Sequence, residues 1–282
     1  MDIEQPDGEI TSIDWYPRNF RTMKEDTPIV FFCPGLLGIS RDRYAYKFCK
    51  MALKRCGWRS FVYHRRLLLN EPKGNVMNSY TTNDDWVVVL NQVKKLFPSA
   101  TIYMVGVSMG ALNIQRYLID YSADPIVKGA VTISSPWNAK MISDMVMNSK
   151  LLCRMMLPSQ LRMIRQHMHS EKFLEKVKSK GIDLDRVFAS KTNREFDQLF
   201  SVPDIQLKHS DEYYARLTAH DGVQKISVPL LAINSLDDTL IPRRNIPEEE
   251  IVKNPNVVQL MVAGGGHIEY FHGLKRSFVR LD

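Results

Sequence analysis

The chain has 282 residues, 44% hydrophobic and 24% charged, which is ordinary for a globular α/β domain and long enough to bury a sizeable core. The longest apolar stretch, IVFFCPGLL (29–37), contains a proline and falls far short of the roughly 20 residues that span a bilayer. The polar start MDIEQPDGEI reads as neither signal nor transit peptide.

Six short β-rich runs follow in chain order: IVFFC (29–33), RSFVYH (59–64), TIYMV (101–105), GAVTIS (129–134), PLLAIN (229–234) and VVQLMV (257–262). They are apolar nearly throughout, as strands covered on both faces of a parallel sheet must be. Between the first two, Ala45, Phe48, Cys49, Ala52, Leu53 and Cys56 fall on one helix face, and Gly57 supplies the stop. Trp86, Val89, Leu90, Val93, Leu96 and Phe97 repeat that pattern up to Pro98, with Asp84 and Asp85 suited to the first turn. A third helix is expected from Ser108 to about Tyr121. Alternation of this kind implies right-handed crossovers in a parallel sheet. It breaks between about 136 and 225, where the chain reads as several short helices inserted before PLLAIN.

The formal charge of +7 is concentrated in that insertion, where residues 140–191 carry eleven Lys/Arg against five acids. Phe173 and Phe188 are the only aromatics there, too few for the stacking platform that nucleic acid requires, so no nucleic-acid partner is expected. Residues 141–168 also hold seven of the fourteen methionines (Met141, Met145, Met147, Met155, Met156, Met163 and Met168), interleaved with Lys150, Arg154, Arg162 and Arg165. Two readings stand side by side: a basic, apolar lid facing lipid, in peripheral contact with a membrane, or methionines packing the cap onto the core. Cys33, Cys49, Cys56 and Cys153 form no C-x-x-C pair, and no N-x-S/T sequon occurs; both fit reduced cysteines and a cytoplasmic address. No Walker A loop, H-E-x-x-H or Cys/His set is present, so neither cofactor nor metal is expected.

GVSMGA (106–111) places Ser108 in a G-x-S-x-G string where a strand hands over to a helix. The string alone arises by chance in roughly one chain in twenty of this length; its position after a strand gives it weight. Glycines on either side permit a sharp turn, which lifts a serine above the carboxyl edge of the sheet. A serine hydroxyl needs a base, and the base an orienting acid, in the order Ser, Asp/Glu, His on elbows of this type. PLLAIN runs into SLDDTLIP, offering Asp237 or Asp238, and VVQLMV runs into AGGGHIEYF, offering His267. His167, His169, His209 and His220 fall in the insertion as surface or cap residues, His64 precedes the serine, and His272 lies past the strand end, where a helix is expected. A developing oxyanion would be met by the amide of Met109 and, after the Pro34-Gly35 turn, that of Leu36.

CPGLLGISRDRY, GVSMGA, SSPWN, NREFDQLF, EYY, LLAINSLDDTLIP and GGGHIEYFHG occur in the order found in one branch of the α/β hydrolases. The chain resembles the α/β-hydrolase domain-containing proteins of types one to three, the fungal medium-chain fatty acid ethyl ester synthase/esterases and bacterial relatives. DGEITSIDW is similar to that family's lead-in strand. The resemblance implies a single α/β-hydrolase domain over 1–282, a mostly parallel central sheet flanked by helices, and a helical cap at about 136–225. It further implies a serine esterase acting on lipid-like acyl esters: medium-chain esters, monoacylglycerols or phospholipids. Ser108 would be the nucleophile, His267 the base and Asp238 the acid, since Asp238–Pro242 fits the family's D-x-x-x-P. Three departures are noted. The chain begins at the catalytic core, without the membrane anchor of many relatives. HRRLLL (64–69) stands where relatives show Arg-Gly, so that loop is expected to differ. Fifteen residues follow His267, a short cover expected to expose the last strand, loosen the histidine loop and lower activity. The rival reading is a lipid-binding relative without turnover.

Overall fold

A computed structural model describes residues 1–78, 80–81, 83–123 and 126–268. The six apolar runs become the strands β3 (Ile29–Cys33), β4 (Arg59–His64), β5 (Ile102–Val107), β6 (Val127–Ile133), β7 (Leu230–Ser235) and β8 (Val257–Val262). Two further strands, β1 (Asp2–Glu4) and β2 (Ile10–Tyr16), precede them. The eight form one sheet in the order β1-β2-β4-β3-β5-β6-β7-β8, parallel from β4 to β8 and antiparallel at the β1 end. β5 runs two residues past the expected TIYMV because Gly106 and Val107 still pair with Thr132 and Ile133 of β6.

Side chains alternate across a strand, and both faces of β3 are buried. Phe31 joins Phe61, Trp86, Val89 and Leu112 on one face, under α2 (Asp84–Leu96) and α3 (Met109–Asp120). Val30 and Phe32 join Ala45, Cys49 and Val105 on the other, under α1 (Arg43–Cys56). Gly57 ends α1 in the left-handed conformation expected of a C-terminal glycine.

Between β6 and β7 run α4 (Ala139–Met147), α5 (Lys150–Arg165), α6 (Glu171–Ser179), α7 (Leu184–Phe188), α8 (Asn193–Phe196), a π-helical turn (Asp197–Ser201), α9 (Val202–Asp204) and α10 (Ser210–Leu217). α11 (Glu248–Lys253) lies between β7 and β8. Five of these helices begin on a side-chain cap: Asn138, Ser149, Ser170, Asp183 and Thr192 each accept a backbone N–H three residues on. α5 to α8 and the π-helical turn share an apolar cluster of their own, including Leu161, Ile164, Phe173, Phe196 and Phe200. Leu67 and Met77, from the segment after β4, complete it. α4, α9 and α10 instead join the main core through Ala139, Val202, Tyr213 and Leu217. Buried Asp204 secures the junction by accepting the Met77 and Asn78 amides at 3.0 and 2.7 Å and pairing with Lys180.

The HRRLLL departure has a structural counterpart. Arg66 forks between Asp85 of α2 and Asp7 near the amino terminus, both pairs at 2.6 Å, and donates to the Val76 carbonyl. His272 and the short carboxyl-terminal cover lie outside the described residues.

Candidate active site

β5 ends on Val107 and α3 begins on Met109, so Ser108 alone makes the turn, at φ 53° and ψ −120°. A side chain in that region is strained by about 1–3 kcal/mol and persists only where its surroundings hold it. Here the Ser108 amide donates to the Ile133 carbonyl at 2.9 Å, and the Ser108 carbonyl accepts from Leu112 at 3.1 Å. The flanking glycines are required by space. A Cβ on Gly106 would stand 2.6 Å from the Gly110 carbonyl oxygen, and one on Gly110 would stand 2.2 Å from that of Cys33. Serine at a helix start usually caps the helix with its hydroxyl. Ser108 does not; its Oγ is turned to His267 Nε2 at 2.8 Å.

His267 Nδ1 faces Asp238 Oδ2 at 2.9 Å, and Asp238 is buried. The carboxylate is fixed by its other oxygen, which accepts the Leu240 and Ile241 amides at 2.8 and 2.9 Å. With the Nδ1 proton directed at Asp238, Nε2 is left to accept the Ser108 hydroxyl proton. The ends of β5, β7 and β8 thus bring Ser108, Asp238 and His267 together at the carboxyl edge of the sheet.

Asp237 and Asp238 differ in their contacts, and of the two it is Asp238 that faces the imidazole. Asp237 turns away from the imidazole; its Oδ1 accepts the Ser235 hydroxyl and the amides of Gly265 and Gly266, at 3.0 and 2.8 Å for the two amides. Those bonds, that from Ser235 foremost, hold its pKa below the usual carboxylate value. Asp237 therefore braces the glycine loop that carries His267, a role the sequence analysis did not assign. The Asp-Asp doublet was the available signal.

Leu36 and Met109 line a cavity of about 80 Å³ together with Tyr80, Met156, Asp197 and Tyr214. Among the described residues neither the Leu36 nor the Met109 amide donates to a protein acceptor. The Gly35 amide beside them donates to the Tyr44 hydroxyl at 3.0 Å, which fixes the loop after β3. A far larger cavity, about 1060 Å³, lies against α1 and β5 to β8 and is lined by Met51, Trp58, Tyr103 and Leu231. None of Ser108, Asp238 and His267 lines it, so size is no guide to the site here.

A family model described as the alpha/beta hydrolase fold matches residues 28–274. The chain belongs to the alpha/beta hydrolase fold family. Among curated proteins it is similar to the phospholipase ABHD3 of Homo sapiens, 29% identical over 96% of this chain and 66% of that protein. It is also similar to the monoacylglycerol lipase of Saccharomyces cerevisiae, 25% identical over 86% of this chain and 55% of the lipase. The chain thus spans just under two thirds of the length of the first of these relatives. Among solved structures, the Pyrococcus furiosus esterase Pf2001 superposes with a TM-score of 0.60 at 18% identity, covering 95% of this chain and 82% of that one. Relatives of this kind belong to the hydrolase branch that the motifs resemble.

Two motifs of the hydrolase branch outside the elbow, NREFD and EYY (212–214), have structural work. In NREFD, Arg194 pairs with Asp144 and Asp211 and sits over the Tyr214 ring. Asp197 accepts the Ser201 and Tyr214 hydroxyls at 2.8 and 2.5 Å. Burial pushes the Asp197 carboxyl up to about 6, against the lowering effect of Tyr214 and Ser201. Of the other histidines, His64 pairs with Asp14 of β2 at 3.1 Å, and burial lowers its pKa against the raising effect of that partner. His167, expected as a surface or cap residue, is a buried residue of the cap and donates to the Leu67 carbonyl at 2.8 Å. The seven methionines divide: Met163 is buried in the apolar cluster of α5 to α8, Met156 lines the small cavity, and Met147, Met155 and Met168 are exposed. Among the described residues no group of His, Cys, Asp and Glu could hold a metal ion, and no helix is long and apolar enough to cross a membrane.

Proposed function

We propose that this protein is a serine esterase that hydrolyses lipid-like acyl esters through an acyl-enzyme on Ser108. The observation that carries the reading is the unbroken line from Ser108 Oγ to His267 Nε2 and from His267 Nδ1 to Asp238 Oδ2. His267 takes the Ser108 proton as Oγ attacks the ester carbonyl, and the Leu36 and Met109 amides receive the oxyanion. Collapse of the tetrahedral adduct expels the alcohol, which leaves with the proton from His267. Water then attacks the acyl-enzyme, gives its proton to His267, and releases the carboxylic acid as Ser108 recovers its hydrogen. Asp238 holds the imidazole tautomer and stabilises the imidazolium formed in each half-reaction.

The names of the similar proteins, a phospholipase and a monoacylglycerol lipase, support a glycerolipid or related ester as substrate. In this reading the chain is one catalytic domain capped by residues 136–225, with the cavity beside Leu36 and Met109 receiving the acyl group. Exposed Leu151 and Met155 on α5, 69% and 66% accessible, stand beside Lys150 and Arg154 and support peripheral contact with an anionic lipid surface. The free cysteines support a cytoplasmic address.

The test is labelling with a fluorophosphonate probe, read by peptide mass spectrometry, on wild type, Ser108→Ala and His267→Ala. An adduct on Ser108, absent in Ser108→Ala and sharply slowed in His267→Ala, is the expected outcome. Folded wild-type protein that takes no label would favour the rival, a lipid-binding relative without turnover.

A further inference from the structure

Around the small cavity, among the described residues, the buried Asn78 Oδ1 and Asn193 Oδ1 have no hydrogen-bond partner, and the Tyr80 hydroxyl, whose oxygen faces the Leu37 amide, finds no acceptor for its proton. A buried polar group left unsatisfied costs about 1–3 kcal/mol, so a cluster of them marks where a polar ligand atom is awaited. The two amide oxygens can only accept, and would repel a developing anion. The Ser143 hydroxyl is taken up by Tyr214. Tyr80 is the donor next to the loop after β3. Burial raises its pKa, while the Arg65 cation and the adjacent Leu37 backbone amide lower it.

Tyr80 is also rigidly supplied. It is 4% exposed, and its carbonyl accepts from Asn113 Nδ2 at 2.7 Å. The Asn113 side chain in turn accepts from Arg65 at 2.5 Å, and the Arg65 guanidinium lies 4.6 Å from the Tyr80 ring centroid and 3.8 Å from Cys33 Sγ. Cys33 ends the strand that feeds Pro34, Gly35 and Leu36. A guanidinium against the face of a phenol makes the hydroxyl a stronger donor and stabilises negative charge forming beyond it.

From this geometry we infer that Tyr80 is a third oxyanion donor, whose hydroxyl hydrogen-bonds to the ester carbonyl oxygen as it becomes the tetrahedral oxyanion beside the Leu36 and Met109 amides. The inference rests on the acyl-enzyme reading above. It adds a side-chain donor, one that a single atom's deletion can remove, to two backbone donors that mutation cannot delete.

The experiment measures hydrolysis of p-nitrophenyl butyrate by wild type, Tyr80→Phe and Ser108→Ala, with the affinity of each for butylboronic acid, whose adduct on the serine mimics the tetrahedral intermediate. Tyr80→Phe should lower kcat about 10- to 100-fold with KM held within about twofold, and weaken boronate binding by a similar factor. An unchanged kcat, or a loss confined to KM, overturns the assignment and makes the hydroxyl a ground-state contact. If Ser108→Ala keeps wild-type turnover, the acyl-enzyme reading falls and this inference with it; if Ser108→Ala is dead while Tyr80→Phe matches wild type, only the role of Tyr80 falls. Should Tyr80→Phe fail to fold, Tyr80→3-fluorotyrosine keeps the shape and alters only the acidity of the hydroxyl. A boronate affinity that does not respond to that change also overturns the proposal.

Discussion

The sheet and the helical segment between β6 and β7 are held in place by different means. α1, α2 and α3 carry no side-chain cap at their amino termini and are located by the strands that precede them and by burial. α4 to α8 each start on a local cap, and α5 to α8 gather around their own apolar cluster. Ser108, Asp238 and His267 all belong to the first kind of construction, where residues 159 positions apart meet within 2.8 Å. The difference teaches where tolerance to change should lie. Contacts between distant backbone segments admit almost no substitution, whereas a chain of locally capped helices loses stability in small, separable amounts.

The largest effect should come from the site. Asp238→Asn is expected to lower kcat by about 10⁴-fold while leaving the melting curve nearly unchanged, because it reverses the hydrogen-bond polarity that sets the imidazole tautomer; a loss below tenfold would dissociate Asp238 from the chemistry. Next comes a pair of glycines, one from each region. Gly110→Ala drives a Cβ into the Cys33 carbonyl and should cost about 3 kcal/mol or more. Gly181→Ala, at φ +64 with open space around it, should cost about 1 kcal/mol. Equal costs in denaturant titrations would erase the contrast.

The third test sharpens it through pH. The Asp197 carboxyl is raised by burial to about 6 from an ordinary 3.8, so the folded state holds its proton more tightly than the unfolded chain does. That contribution is fully present below about pH 4 and is lost as pH rises through about 6, a swing on the order of 3 kcal/mol. Asp197→Asn should therefore gain on wild type as pH is raised from 4 to 7; parallel stability curves for the two proteins would refute this. Smallest of all, Ser170→Ala removes the cap of α6 and should cost about 1 kcal/mol, with kcat unaltered. A large fall in kcat there would mean that the segment and the site are more tightly coupled than their separate clusters indicate.

The parallel strands and the elbow were legible because each is written in contiguous residues: an all-apolar run for β3, or a serine between glycines directly after β5. β1 was not legible, since three residues are too few to show a period, and it exists because β2 offers an edge to pair with. Chain order narrowed the acid to a doublet. It could not separate Asp237 from Asp238, because that depends on which carboxylate the turn after β7 directs at the imidazole; the D-x-x-x-P resemblance alone pointed to Asp238. Tyr80 was invisible for a related reason: it sits in no recognisable string, and Arg65, although part of HRRLLL, comes close to Cys33 only because β4 lies beside β3. His167 belongs to the cap as expected, but no local pattern announces that it is buried with the Leu67 carbonyl as its acceptor.

Asp237 and Asp238 are neighbours in sequence with unlike duties, one gripping the loop that presents the histidine and the other gripping the histidine itself. Adding or deleting one residue between β7 and this pair would move one carboxylate into the other's place, carry the second out of reach and leave both badly aimed. Among descendants of this gene, therefore, the span from Ser235 to Asp238 should vary in spelling long before it varies in length.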